Sequence, residues 1–386
     1  MNQKLPINAR LSVSVPKAAR RRFSWAKGAA VTGVTLLTAA LLGCGGSDQS
    51  ESAERAPASN TERISGADAP TFAANVAFAV YPANTLAQRP KSISLVTEDN
   101  WQNVVSASVF MAHPLRAPLL ISTAGGMPAP TTAAVNIFQP HGNRLKASGN
   151  ASRKGAAYFA MGEVATPYQG RTYRPGETGG AVQAASIEAY RKVLFREAPK
   201  RVVIAAENDP AFALPAAAWA AFSGDPVLYS DTDKLPKATA DALRRFPAKV
   251  YVLGPTSVIS PSVVREIGKL AKGVKRVAGD TPVENAVALA RYSDGDFGWG
   301  VNRSGHGFVI ARSNAPLEAA LASPLSASGT QGPLLLTESA DKLPRAVRQY
   351  LLDVKPLKHV WIVGDEEAIA PSQQAEIEEL TATPKR

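Results

Sequence analysis

Apolar residues fall into two kinds of run along the chain. One kind is short, unbroken and rich in Val, Ile and Leu: SISLVTE at 92–98, RVVIAAE at 201–207 and GFVIARS at 307–313. A second set is opened by proline: PLLIS at 118–122, PVLYS at 226–230 and PLLLT at 333–337. A third set ends in glycine: YFAMG at 158–162, VYVLG at 250–254 and VWIVG at 360–364. Apolar runs without alternation predict strands buried on both faces of a parallel sheet. The stretches between them are Ala-rich and long enough for crossover helices, which parallel strands require. Pro118, Pro226 and Pro333 are spaced by 108 and 107 residues, so one pattern occurs three times.

Each copy opens with a basic residue, a short turn with Gly, an acid and an Ala-rich helix. The segments are RISGADAPTFAANVAFAVY at 63–81, RPGETGGAVQAASIEAYR at 174–191 and RVAGDTPVENAVALARY at 276–292. The predicted fold class is α/β. It consists of three tandem three-layer units with short parallel sheets. The expected boundaries are 62–170, 171–272 and 273–386. DKLP occurs at 233–236 and 341–344, where Pro236 and Pro344 suit the first turn of a helix.

The N-terminus has a different pattern. Arg20, Arg21 and Arg22 precede an uncharged stretch at 28–42 that is about 22 Å long as a helix, short of a membrane span. Leu41-Leu42-Gly43-Cys44 follows. This order predicts a signal peptide at 1–43, and the residues before Cys44 resemble a lipobox, which implies a lipid on Cys44. Residues 45–61 carry no large apolar side chain and are expected to form a flexible tether.

Charge changes the picture little. Of the 43 Lys and Arg residues, seven lie in residues 1–43, where there is no Asp or Glu. The rest carries 36 basic and 32 acidic residues, a net of +4. No nucleic-acid partner is expected from so mild an excess. Cys44 is the only cysteine, so an internal disulfide is excluded. His113, His141, His306 and His359 are scattered, without metal-ligand spacing, and neither HExxH, GxSxG nor a Walker loop occurs. No cofactor and no catalytic role are expected.

The three copies, with their R-I-S-G-A-D, P-L-L-L-T and V-Y-V-L-G runs, resemble the cell wall binding repeat 2 family over about residues 62–382. The chain departs from the family pattern where Ala69 follows Asp68 and Thr281 follows Asp280. The resemblance implies Rossmann-like modules in a pseudo-threefold arrangement and attachment to an anionic cell-wall polymer; together with the lipobox, the expectation is a non-catalytic envelope lipoprotein that holds such a polymer. Its place would be the outer face of the cytoplasmic membrane or the wall. The alternatives are an accessory lipoprotein acting through protein partners such as a wall hydrolase, and a solute-binding lipoprotein of an importer. Arg63, Arg174 and Arg276 are the candidate polymer contacts, because guanidinium matches phosphate and carboxylate. Ion pairs to Asp68, Glu177 and Asp280 are the competing role for them. In parallel sheets ligands bind beyond the carboxyl ends of strands. There the chain places Glu98 and Asp99, Asn208 and Asp209, and Ser313 and Asn314, residues that also suit helix N-caps.

Overall fold

The nine apolar runs form nine buried strands, three to a sheet. The computed structural model describes residues 60–142, 155–167, 172–173, 180–301, 307–327, 331–354 and 359–382. The predicted signal peptide, Cys44, the tether before residue 60, Arg174 and His306 lie outside them. All described residues belong to one compact unit, Pro57–Arg386.

In chain order the elements are β1 (Thr61–Ile64), α1 (Ala69–Val80), β2 (Ile93–Val96), α2 (Trp101–Ala107), β3 (Leu119–Ile121), α3 (Ala129–Phe138) and β4 (Tyr158–Met161). The second copy adds β5 (Thr172–Tyr173), α4 (Gly180–Phe195), β6 (Arg201–Ala206), α5 (Pro210–Ser223), β7 (Val227–Ser230), α6 (Lys237–Arg245), β8 (Lys249–Leu253) and α7 (Pro261–Gly268). The third adds β9 (Gly273–Val277), α8 (Pro282–Arg291), β10 (Phe308–Arg312), α9 (Pro316–Leu321), α10 (Ser323–Ala327), β11 (Leu334–Thr337), α11 (Arg345–Asp353), β12 (Val360–Val363) and α12 (Pro371–Thr381).

The sheet orders are β3-β2-β4-β5, β7-β6-β8-β9 and β11-β10-β12-β1, with every pairing parallel. Each sheet takes three strands from one copy and its fourth from the opening segment of another. β5 and β9 reach back to the sheet just completed. β1, the first strand of the chain, closes the third sheet beside β12, with Thr61 opposite Val360 and Ile64 opposite Val363. These fourth strands are at the sheet edges and are only partly buried, as in GVKRV of β9. Their apolar signal is therefore faint, which is why the sequence shows a turn there and not a strand.

The helices after the first strand of each sheet, α2, α5 and α9, pack on one another at the centre. Around them the contacts run cyclically: α1 against α9, α4 against α2 and α8 against α5. In α5 every residue from Phe212 to Ala221 is buried, as expected of a helix apolar on all sides. Its alanines let neighbouring backbones approach closely. Trp219 fills the remaining space, packing on Phe222, Phe297 and Trp299 and donating its indole N–H to Asp225 at 3.0 Å.

Hydrogen bonds cross every junction between units. The Ser108 and Ser323 hydroxyls meet at 2.8 Å. Tyr229 donates to the Gln102 carbonyl at 3.1 Å, and the Asn285 amide donates to the Phe212 carbonyl at 3.2 Å. Buried polar groups left unpaired would each cost about 1–3 kcal/mol, so these bonds favour one register between units. Pro236 and Pro344 occupy the N-cap positions of α6 and α11, one residue earlier than the sequence suggests. The preceding Leu235 and Leu343 are buried, which anchors the approach to each helix.

Candidate functional site

Arg63 and Arg276, the expected polymer contacts, point into the protein. Arg63 Nη1 donates to the carbonyls of Gly364 at 2.9 Å and Asp365 at 2.6 Å. Its Nη2 donates to the Ile369 carbonyl at 2.7 Å and to Gln374 Oε1 at 2.8 Å. Arg276 repeats the arrangement, with Nη1 on the carbonyls of Gly254 and Pro255 and Nη2 on that of Ile259 at 2.6 Å. Burial lowers the pKa of both guanidinium groups from its ordinary value. Each arginine thus fastens an edge strand to the loop after the neighbouring strand. The terminal guanidinium nitrogens donate mostly to backbone carbonyls, with Gln374 added in the case of Arg63, which leaves them less free for a phosphate. Among the described residues the hydrogen bonds of Arg63 and Arg276 go to these acceptors and not to Asp68 or Asp280.

The acid that follows belongs to the helix start. Asp68 is the N-cap of α1 and accepts from the Thr71 amide at 2.7 Å. In the third copy the cap is Thr281, not Asp280, and it forms a capping box with Glu284. The Gly between arginine and cap is required by space. A Cβ on Gly66 would stand 2.3 Å from the Phe72 nitrogen, and one on Gly279 would stand 2.3 Å from the Glu284 carbonyl carbon.

The strand-end residues can be compared copy by copy through the sheet register. Ala206 pairs with Ser230, and Arg312 pairs with Thr337. In the first sheet Val96 pairs with Ile121, so Thr97 stands opposite Ser122. Thr97, Ala206 and Arg312 are therefore one position in three copies. Thr97 donates to Asp99 Oδ2 at 2.8 Å, and the next residue, Asn100, caps α2 by accepting from the Gln102 amide. Arg312 reaches across its sheet end, donating to Asn314 Oδ1 at 3.2 Å and to the Ala368 carbonyl at 3.1 Å. Ser313 is engaged through its amide, which donates to the Thr337 carbonyl. Glu98 stands beside Asp99 at the first sheet end, where no hydrogen bond among the described residues fixes its role.

Ala206 has only a methyl group at this position, and a cleft of about 190 Å³ opens in the second unit. Its walls are Ala206, Asn208, Asp209, Ser230, Thr232, Ser257 and Val258. Asn208 is held by donating to Asp231 Oδ1 at 2.8 Å. Asp209 occupies the N-cap position of α5 without a side-chain cap bond. Next to it, Glu207 turns away and accepts from the Ala181 amide at 2.9 Å, at the start of α4. Asn208 and Asp209 are therefore brought together at one open site. Glu98, Asp99, Ser313 and Asn314 belong to the other two sheet ends. Ser230, Thr232, Ser257 and Val258 were not singled out from sequence, although aligning Ala206 with Arg312 would have exposed the difference.

One buried acid lies away from this edge. Glu188 of α4 is almost fully buried, and neither carboxylate oxygen has a hydrogen-bond partner among the described residues. Burial pushes its pKa up to about 7, offset in part by Arg245 and Arg191. Among the described residues no cluster of His, Cys, Asp and Glu could hold a metal ion, and no helix is long and apolar enough to cross a membrane.

Three parallel sheets of one strand order, each completed by a strand from another copy, define a tandem α/β repeat protein. The stretches 180–264 and 276–374 match the model of cell wall binding domain 2 (CWB2), so the second and third units are repeats of that family. The first unit shares their sheet order. Two solved structures share the fold, both from Clostridium difficile. Cwp6 superposes with a TM-score of 0.66 at 16% identity, over 84% of this chain and 48% of that one. Cwp8 gives 0.63 at 18% identity, over 83% and 52%. The chain therefore spans about half the length of these structures. No curated protein matches it in sequence.

Proposed function

We propose that the protein is a non-catalytic envelope lipoprotein that retains a cell-wall polymer through its three units. The observation that carries this reading is the family match over two units together with a third unit of the same sheet order. Cys44 would carry the lipid, and the repeats would hold the wall beyond the tether. One attachment raises the effective concentration for the other. The anionic polymer implied by the resemblance would need cationic contacts, and Arg63 and Arg276 are committed elsewhere. The polar sheet end of the second unit, whose lining holds no Lys or Arg, is the candidate surface for an uncharged part of that polymer.

The test is sedimentation of the full chain with purified walls stripped of protein, before and after chemical removal of the secondary polymer. Retention that disappears with the polymer is the expected result. Equal retention on both preparations, or none on either, would overturn the reading. For the anchor, Cys44→Ala is expected to abolish incorporation of labelled fatty acid and to release the protein into the medium. Incorporation that persists in this variant would rule out Cys44 as the lipid site.

A further inference from the structure

We propose that the cleft of the second unit is a monosaccharide subsite that accepts a neutral or amine-bearing sugar ring and disfavours phosphate. The proposal rests on the wall-polymer reading and specifies where and how one sugar unit is gripped.

The three copies serve as mutual controls. At the shared strand-end position the third unit carries Arg312, whose guanidinium spans from Asn314 to the Ala368 carbonyl. Ala368 corresponds to Val258, since both stand four residues after the glycine that ends the third strand, Gly364 or Gly254. The third unit thus bridges with a side chain the two walls that the second unit leaves apart. In the first unit the hydroxyl of Thr97 is turned onto Asp99. The N-cap positions differ in parallel. Asn100 is spent on its helix, Ala315 has no polar group, and Asp209 makes no side-chain cap bond. An opening and an uncommitted carboxylate therefore coincide in the second unit among the described residues.

The chemistry of the lining selects the ligand. Thr232 and Ser257 supply hydroxyls, Asp209 a carboxylate and Asn208 an amide held by Asp231; Ser230, whose hydroxyl already donates to the Asp231 carbonyl at 2.9 Å, can only accept, and Ala206 and Val258 give an apolar wall. This mixture suits a ring with hydroxyl groups at its rim and C–H groups on its face. None of the lining residues is Lys or Arg. A phosphate would face the Asp209 carboxylate, with Asp231 behind Asn208, and like charges at such range repel. An ammonium group on the sugar would instead find a partner in Asp209. The size of the cleft fits one sugar unit and not a longer stretch of polymer.

The test titrates the full chain with glucose, glucosamine, glucose 6-phosphate and inorganic phosphate, followed by ligand-observed NMR and calorimetry. Glucose and glucosamine should bind saturably in the millimolar range, with glucose 6-phosphate at least about tenfold weaker. Ala206→Arg copies the side chain of the third unit and should abolish sugar binding. Ser257→Trp, at an exposed loop position, fills the cleft from outside and decides the matter if Ala206→Arg fails to fold. Asp209→Asn should remove the preference for glucosamine over glucose. Equal or tighter binding of the phosphosugar, unchanged binding in a folded cleft variant, or no saturable sugar binding would overturn the proposal. Wall sedimentation run in parallel separates the two readings. Walls retained without sugar binding would sink the subsite and leave the wall-polymer reading standing. Sugar binding without wall retention would do the reverse.

Discussion

Arg63 donates a 2.9 Å hydrogen bond to the carbonyl of Gly364, a residue 301 positions later in the chain. This bond ties the first strand to the last sheet and makes the third unit dependent on the start of the first. Arg63→Ala would remove four hydrogen bonds and leave the carbonyls of Gly364, Asp365 and Ile369 short of a donor. The expected loss is about 2–4 kcal/mol of unfolding free energy. Hydrogen exchange should show it first in Val360–Val363, the strand that pairs with β1. Protection unchanged there would mean that the arginine is not the fastening.

The glycines of the opening segment supply a paired test of packing. A Cβ on Gly279 would overlap the backbone of Glu284 and Asn285, at 2.3 and 2.4 Å. A Cβ on Gly273, at the start of β9 just before that turn, would meet nothing within 4 Å. Gly279→Ala should therefore cost about 1–3 kcal/mol, and Gly273→Ala should stay within about 0.5 kcal/mol. Denaturant unfolding of both variants checks this, and similar values for the two would show that close approach is not what requires Gly279.

The sequence and the structure agree where burial is complete and part where it is not. PLLLT and VYVLG announce strands because β11 and β8 are covered on both faces, so every position but the terminal Thr337 and Lys249 is apolar. Thr61–Ile64 hides its role, because in this edge strand only the two end residues are buried and its partner lies at the other end of the chain. Arg63 and Arg276 were legible as repeated residues but not as internal ones. Their acceptors are, apart from Gln374, backbone carbonyls, which leave no mark on composition. The cleft was half legible. Asn208 and Asp209 follow from the rule that ligands bind at strand ends, whereas the opening beside them depends on Ala206 standing where Arg312 stands in the third copy.

Glu188 predicts a pH dependence of opposite sign to ordinary acid denaturation. Its folded pKa is raised from 4.5 to about 7 by burial, so the folded state holds its proton more tightly than the unfolded chain. Stability from this group is fully present below about pH 4.5 and is lost as pH rises through about 7, by up to roughly 3 kcal/mol. Asp294 acts in another window. Hydrogen bonds from Lys249, Lys275 and Tyr251 hold its pKa well below the usual range, so its contribution is lost only as the medium becomes strongly acidic. Glu188→Gln should flatten the stability profile between pH 4.5 and 7 and raise stability at pH 8. An unchanged slope in that interval would show that Glu188 is not the titrating group.

Arg312 provides the reciprocal of the cleft variants. Arg312→Ala would withdraw the guanidinium from Asn314 and from the Ala368 carbonyl, both at the loop-rich end of the third sheet. The bonds lost are at a partly exposed edge, so the fold should be weakened by no more than about 1 kcal/mol. What remains is a gap bounded by Asn314, Thr337 and Ala368, the counterparts of Asn208, Ser230 and Val258. If an unblocked strand end is what makes the second unit a sugar subsite, this variant should bind a second equivalent of glucose. Binding at the new site should be weaker than at the original one, because Ala315 supplies no carboxylate where Asp209 stands. Titration to a stoichiometry of two would show that the three units share one latent site and that a single side chain decides which copy is open. A stoichiometry that stays at one in a folded Arg312→Ala protein would show that the opening alone does not make a site, and would place the weight of binding on Asp209.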